Sequence, residues 1–254
     1  MSPKSKTHVR SLLYGLVEYA MWSGSLEISR NPISLVQNKG ATRKTRKARS
    51  LTAEQFHALL RELHEPLATM ALLCVCLGLR ISEALALQWG DVNWLGSKVS
   101  IKRGIVEQEV DATKTESSAK TVTLAADLLA RLNSWRRLAQ FSGAEDWIFA
   151  SPVKIGRLPY SYTGVWRELQ RAAGAAGIGH LGTHSLRHTY RSWLDAVGTS
   201  VTTQQAMMRH NDLRTTMGYG EVVTDAMTTA GSRVAQLAFR LNGAQTERQA
   251  GLSH

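Results

Sequence analysis

The sequence lacks the features of secreted and membrane proteins. Only two of its 254 residues are cysteines, Cys74 and Cys76, and both lie in one apolar run. Two cysteines so close together in such a run make a poor disulfide or metal site, so we expect two core thiols in a reducing cytoplasm. No apolar run reaches the ~18 residues of a membrane span, and no apolar stretch follows the basic N-terminus as in a secretory signal. We therefore expect a cytoplasmic protein without a membrane partner.

Acidic residues are also scarce. The chain has 20 Asp and Glu against 31 Lys and Arg, which gives a formal net charge of +11. Residues 1–50 hold ten basic and two acidic side chains, an excess of eight, and the basic residues are densest at 39–49. A solvated linker or a sorting signal would explain such a run, but a strap across the backbone of a nucleic acid is the sharper interpretation. The predicted DNA-backbone contacts are Arg43, Lys44, Arg46, Lys47 and Arg49.

The apolar pattern divides the chain into unequal parts. It predicts one helix over residues 8–22 and a fragment near 33–36, which is too little for an independent core. We interpret residues 1–37 as the end of a helical domain whose beginning is missing, and residues 38–49 as a basic linker. Residues 50–241 can form one sizeable core. Residues 242–254 are expected to be a disordered tail.

Within residues 50–241 the pattern predicts a mainly α fold with a small antiparallel sheet (α+β). Thr52 and Gln55 fit a helix capping box, and residues 66–79 are apolar nearly all round, which is typical of a buried helix. Strands are predicted at 99–110, 120–124 and 147–149, with a polar turn at 111–119. Further helices are predicted at 81–87, 125–141, 162–176, 184–196, 201–209, 213–219 and 222–241.

Five residues, in a fixed order, could grip a phosphodiester and attack it. They are Arg80, His184, Arg187, His210 and Tyr219. An arginine fork matches two phosphate oxygens, and two such forks would neutralise the extra charge of a pentacoordinate transition state. Forming a phenolate at pH 7 from a tyrosine of pKa ~10 costs about 4 kcal/mol at ~1.4 kcal/mol per pH unit. A histidine base and two guanidiniums could offset that cost.

The leaving 5′-oxygen needs a proton, and a lysine in a turn between strands could supply it. Lys114 lies in the predicted polar turn and is our candidate, while Lys102, Arg103 and Lys120 lie near it in sequence.

Three neighbours of the arginines need an interpretation of their own. Glu83 follows Arg80 by three residues and could orient its guanidinium. Tyr190 is the competing nucleophile, but it lies on an amphipathic helix and we interpret it as core. His188 is interpreted as a core residue or a support for the site.

These residues resemble the motifs of the tyrosine recombinases, the phage-integrase type of site-specific recombinase. Gly-Leu-Arg-Ile-Ser-Glu at 78–83 resembles the first arginine box, and Thr-Lys-Thr-Glu-Ser-Ser at 113–118 resembles the hairpin lysine motif. His-Ser-Leu-Arg-His-Thr at 184–189 resembles the His-x-x-Arg box, and residues 210–219 resemble the nucleophile segment. The resemblance covers roughly residues 45–240, and residues 1–37 resemble the C-terminal remnant of the helical core-binding domain of the family.

The resemblance implies a tyrosine recombinase catalytic-domain fold and a recombinase or integrase that cleaves and rejoins double-stranded DNA. Tyr219 would form a 3′-phosphotyrosine and free a 5′-hydroxyl. Arg80, Arg187 and His210 would hold the phosphate. Lys114 would act as general acid, His184 would take the proton of the nucleophile, and Glu83 would support the site. No metal or other cofactor is implied, because the covalent ester retains the bond energy for rejoining.

The resemblance also implies a monomer in solution and a homotetramer on DNA through exchange of the C-terminal helix at 222–241. The alternative is that this helix packs on its own domain. Two other functions stay open: a catalytically impaired DNA-binding remnant of a mobile element, and a type IB topoisomerase. The short chain and the turn at 113–118 argue against the topoisomerase.

Overall fold

The computed structural model describes most of the chain. The described ranges are 1–37, 49–106, 109–112, 120–182, 184–208 and 220–239. Several predicted features lie outside them, namely the strap residues Arg43, Lys44, Arg46 and Lys47, the catalytic candidates Lys114, His210 and Tyr219, the helix at 213–219 and the tail at 242–254.

The chain divides into two units, residues 1–47 and 48–254, and the division falls within the predicted linker. The first unit holds α1 (Pro3–Trp22), which is longer than predicted, and a 3-10 turn at Pro32–Leu35. Asn31 caps that turn and donates its side-chain amide to Glu18 of α1 at 2.9 Å. No residue of α1 is buried, and Asn31 is the one buried residue of 1–37, so the described part of this unit has no apolar core.

The second unit is mainly helical with small antiparallel sheets, which confirms the predicted fold class. Its described helices are α2 (Ala53–Glu62), α3 (Leu67–Leu77), α4 (Ile81–Leu85), α5 (Ala126–Leu138), α6 (Tyr162–Ala175), α7 (Ser185–Ala196), α8 (Val201–Met207) and α9 (Gly220–Phe239). Its described strands are β1 (Val92–Asn93), β2 (Lys98–Ile101), β3 (Arg103–Val106), β4 (Glu109–Ala112) and β5 (Lys120–Thr123).

Helix α3 lies at the centre of the core. All of its residues are buried, and α4, α5, α7 and α9 pack against it. The predicted buried helix is therefore confirmed, as is the capping box of Thr52 and Gln55 at the start of α2. Cys74 and Cys76 lie in α3 as core residues. Burial, and then the negative charge of Asp127, raises the pKa of the Cys76 thiol to about 12, so this thiol is inert as a nucleophile at neutral pH.

The strands differ from the prediction in two places. The single strand predicted at 99–110 corresponds to three described strands, because β2 ends at Ile101, Lys102 belongs to no strand, and β3 and β4 are separate strands that pair with each other. β2 pairs with β1 and β5, with Lys98 opposite Thr123, whereas β3 and β4 form a separate two-stranded sheet. Residues 147–149 form no strand, because Trp147 makes only an isolated bridge to Gln88 while Ile148 and Phe149 are buried in the core.

Helix α9 packs on the domain to which it belongs. Val234, Ala235 and Ala238 are buried in the same core as α3, and the His57 Nε2 atom lies 3.1 Å from the carbonyl oxygen of Leu237. In this single chain the helix therefore follows the alternative of packing on its own domain. Among the described helices, none is long and apolar enough to cross a membrane.

Gly78 ends α3 in the left-handed conformation, with φ +61°, and so directs the chain into Arg80. A Cβ atom built there would lie 2.3 Å from Cδ1 of Tyr190, whose side chain is buried and cannot move aside. We expect Gly78→Ala to lower the free energy of unfolding by about 3 kcal/mol or more, from left-handed strain and overpacking together.

Gly198→Ala is the matched control for this variant. Gly198 has φ +76° but nothing within 4 Å of the added Cβ, so only the backbone strain of about 1–2 kcal/mol applies. Denaturant unfolding of both variants measures the difference. Equal losses would show that the contact with Tyr190 costs nothing.

Candidate active site

Arg80 lies at the N-cap position of α4, directly after the turn made by Gly78. Its guanidinium donates to Glu83 Oε1 at 2.7 Å, and its backbone N–H donates to Glu83 Oε2 at 2.9 Å. The Arg80 side chain is 45% exposed, so the pair adds little stability but limits where the guanidinium can lie. The geometry agrees with the predicted orienting contact of Glu83.

Arg187 lies in the first turn of α7 and is only 6% exposed. Its guanidinium donates to the main-chain carbonyls of Gly78 and Met208. A buried charge needs such partners, because leaving it unpaired in a low-dielectric interior is costly. Gly78 precedes Arg80 by two residues, and Met208 precedes His210 by two residues. One guanidinium thus links the first arginine box to the His-x-x-Arg box and to the end of α8, a link that sequence patterns could not show because carbonyls belong to every residue.

His184 occupies the N-cap position of α7 and is exposed. Its side chain makes no capping hydrogen bond, so the imidazole is not held by the helix start. The ring therefore stands at the same helix end as Arg187, with access to solvent. This placement suits a group that would exchange a proton with a bound substrate.

Tyr190 and His188, the other two residues of interest on α7, lie in different environments. Tyr190 is 2% exposed and packs against Gly78, which confirms its interpretation as a core residue. His188 is exposed, so its interpretation as a core residue is wrong. Partial desolvation, and then the neighbouring His184, Arg187 and Arg191, lower the pKa of His188 below the usual value. This histidine is accordingly neutral at pH 7.

Arg49 is the one predicted backbone contact among the described residues. Its guanidinium donates to the carbonyl oxygen of His180 at 3.1 Å and to that of Ile178. Two of its donors are thus engaged within the protein, and its DNA contact stays a prediction. Within the described ranges, no cluster of three or more His, Cys, Asp or Glu residues could hold a metal ion.

The family model described as "Phage integrase family" matches residues 49–225. That span includes both arginines, both histidines, Lys114 and Tyr219. The chain belongs to the phage integrase family. The resemblance inferred from the four motifs is therefore confirmed.

Curated tyrosine recombinases are similar over part of the chain. The tyrosine recombinase XerD of Neisseria meningitidis serogroup A is 31% identical over 147 residues, which cover 57% of this chain and 46% of that protein. The tyrosine recombinase XerC of Corynebacterium efficiens is 32% identical over 155 residues, covering 60% of this chain and 45% of that protein. The chain spans about half the length of these curated relatives.

Solved integrase structures share the fold. The Tn1549 transposon integrase in complex with a circular intermediate DNA superposes with a TM-score of 0.69 at 17% identity, covering 98% of this chain and 80% of that one. A lambda integrase dimer bound to a COC' core site gives 0.56 at 18% identity, covering 86% and 71%. At this identity the likeness supports the integrase fold, and the predicted catalytic-domain fold is confirmed.

Proposed function

We propose that this chain is a site-specific DNA recombinase or integrase that cleaves and rejoins double-stranded DNA through a 3′-phosphotyrosine at Tyr219. The observation that carries the proposal is the position of Arg187. Its buried guanidinium holds the carbonyls of Gly78, in the first arginine box, and of Met208, two residues before His210 in sequence, so segments distant in sequence meet at one cation. A packed core alone would not need a charged residue at that point.

In the proposed reaction the Tyr219 phenolic oxygen attacks phosphorus while its proton passes to His184. The P–O bond to the 5′-oxygen breaks, and Lys114 gives that oxygen a proton. Arg80, Arg187 and His210 hold the non-bridging oxygens and stabilise the charge that develops on them. The reverse steps, started by a 5′-hydroxyl, rejoin the strand without metal or nucleotide.

Glu83 supports the same reaction without contacting the phosphate, because its carboxylate positions Arg80. The backbone N–H of Arg80 holds the Glu83 carboxylate in place, and that carboxylate accepts one hydrogen bond from the Arg80 guanidinium, which would otherwise turn freely in solvent. Holding a catalytic group in its productive position contributes a large share of the rate enhancement.

Double-stranded DNA is the proposed partner, with four copies assembled on it. In the single chain α9 fills its own core through Val234, Ala235 and Ala238. Exchange of this helix between copies would therefore require the α9 of a neighbouring copy to bury the same three positions.

The test uses a DNA substrate nicked beside the cleavage site, so that the freed 5′-hydroxyl fragment diffuses away and the covalent product accumulates. Tryptic peptides can show which tyrosine is attached to the DNA. Trypsin releases residues 215–233 as one peptide with Tyr219 as its single tyrosine, whereas Tyr190 falls in the peptide 188–191. After nuclease trimming, mass spectrometry should find the nucleotide on the peptide 215–233.

Three other outcomes would each contradict the proposal. Nucleotide on the peptide 188–191 would refute the nucleophile. Salt-dependent DNA binding without any adduct would support the DNA-binding remnant. Relaxation of supercoiled plasmid without a specific site would support the topoisomerase.

Glu83→Gln gives a milder prediction. The glutamine amide has one acceptor oxygen and no charge, so it cannot accept well from both the guanidinium and the backbone N–H of Arg80. We therefore expect adduct formation to slow about 10-fold. Stability should change by less than about 1 kcal/mol, because the partner is a half-exposed arginine. Single-turnover cleavage and denaturant unfolding measure the two effects. A rate equal to that of the unaltered protein would remove Glu83 from the site.

A further inference from the structure

The loop before His184 is shaped by side chains that come from elsewhere in the fold. Gly177 and Gly179 both have positive φ, so the loop at 177–182 follows a path that few other sequences could take. The side-chain amide of Gln170 on α6 donates to the carbonyl of Leu181 and accepts from its N–H. Ser185 accepts from the N–H of Gly182 at 3.1 Å. The loop is thus held at its C-terminal end.

Arg49 holds the other end. Its guanidinium donates to the carbonyls of Ile178 and His180, which lie on either side of Gly179. These two residues are 129 and 131 positions away in sequence, so the contact joins the first residues of the catalytic unit to the loop. A planar fork with several donors can bind two carbonyls at once, which a lysine ammonium does less well.

Leu51, two residues after Arg49, contacts the helix that follows His184 in sequence. Its N–H donates to the Thr189 hydroxyl at 2.9 Å, and its carbonyl accepts from the indole of Trp193 at 3.0 Å. Thr189 and Trp193 are buried residues of α7. Residues 49–51 therefore tie together the loop before His184 and the helix after it.

We infer that Arg49 is a positioning residue for His184. The inference rests on the proposed function and deepens it, because it assigns to Arg49 a role in the rate of cleavage. The His184 ring gains no hold from a capping hydrogen bond, so the backbone of the loop decides where it stands. Displacement of a reacting group by about 1 Å can cost on the order of 10²-fold in rate. Arg43, Lys44, Arg46 and Lys47 keep their predicted role as phosphate contacts, whereas the Arg49 guanidinium donates to carbonyls of the protein.

The experiment separates binding from chemistry in Arg49→Ala and Arg49→Lys, with Lys47→Ala as the reference for a phosphate contact. Affinity for duplex DNA is measured as a function of salt, and adduct formation is followed at saturating DNA. For Arg49→Ala we expect a salt slope equal to that of the unaltered protein and a rate at least about 10-fold lower. Arg49→Lys should recover part of the rate. Lys47→Ala should reduce the salt slope by about 1.

A second readout does not depend on cleavage. Hydrogen exchange of the amides at 178–190, measured without DNA, should be about 10-fold faster in Arg49→Ala, because local opening becomes easier when two tethers are lost. Unchanged exchange would overturn the inference, as would a reduced salt slope with a normal rate at saturation. If the unaltered protein forms no adduct, the proposed function fails, and the exchange measurement still decides whether Arg49 holds the loop. Arg49→Lys keeps the test available if the alanine variant does not fold.

Discussion

Tyr219→Phe is expected to abolish covalent attachment to DNA, lowering adduct formation by at least about 10³-fold, to the detection limit. The phenyl ring fills nearly the same space but has no oxygen to attack phosphorus, and water cannot replace it in forming a protein–DNA bond. Affinity for the duplex should stay within about 2-fold, because phosphate contacts by basic residues dominate binding. Gel-shift titration and denaturing electrophoresis of the nicked-substrate reaction measure the two quantities.

Tyr190→Phe is the matched control. Tyr190 follows Arg187 by three residues, as Tyr219 follows His210 by nine. However, Tyr190 is 2% exposed and its ring packs against Gly78 in the core. Loss of its hydroxyl should cost at most about 1.5 kcal/mol of stability and leave the adduct in place. An adduct that persists in Tyr219→Phe, or one that disappears in folded Tyr190→Phe, would contradict the assignment of the nucleophile.

Features governed by local chemistry could be predicted from the sequence. The capping box of Thr52 and Gln55 depends on two side chains three residues apart, and it is present. The run at 66–79 has no polar face to offer to solvent, and α3 is buried on all sides. The contact of Glu83 with Arg80 also lies within one helical turn.

Features governed by distant contacts could not be predicted in this way. The strand predicted at 99–110 breaks at Lys102, where Lys102 and Arg103 both approach the buried carboxylate of Asp91. The alternation of residue types continues across that break, so the pattern gives no sign of it. Trp147 and its apolar neighbours satisfy the pattern of a strand, but Trp147 makes a single bridge to Gln88, while Ile148 and Phe149 pack in the core.

The same limit applies to the site. The motifs identified Arg187 from its spacing to His184, but its two partners are main-chain carbonyls, which every residue possesses. The carbonyl contacts of Arg49 are hidden in the same way, which is why the charge pattern placed this arginine among the phosphate contacts. Sequence patterns therefore predicted which charged residues form the site, but they could not show which main-chain carbonyls hold those residues in place.

Arg187→Ala is expected to remove both the charge of the site and the link between its motifs. Two carbonyls would lose a charged donor in a buried environment, which should lower the free energy of unfolding by about 2–4 kcal/mol. Loss of one cation that stabilises the developing charge should slow adduct formation by about 10²–10³-fold in the protein that remains folded. Denaturant unfolding measures the first effect, and single-turnover cleavage, corrected for the folded fraction, measures the second.

Arg187→Lys and Arg191→Ala distinguish the two roles of this guanidinium. Lysine keeps the charge but cannot bridge two carbonyls in a fixed plane, so we expect most of the rate to be lost while part of the stability returns. Arg191 lies exposed on the same helix, and its removal should change stability by less than about 0.5 kcal/mol. If Arg187→Ala unfolds more easily but cleaves at the normal rate when folded, the guanidinium is only a structural link. The charge that acts on the phosphate must then come from Arg80 and His210 alone.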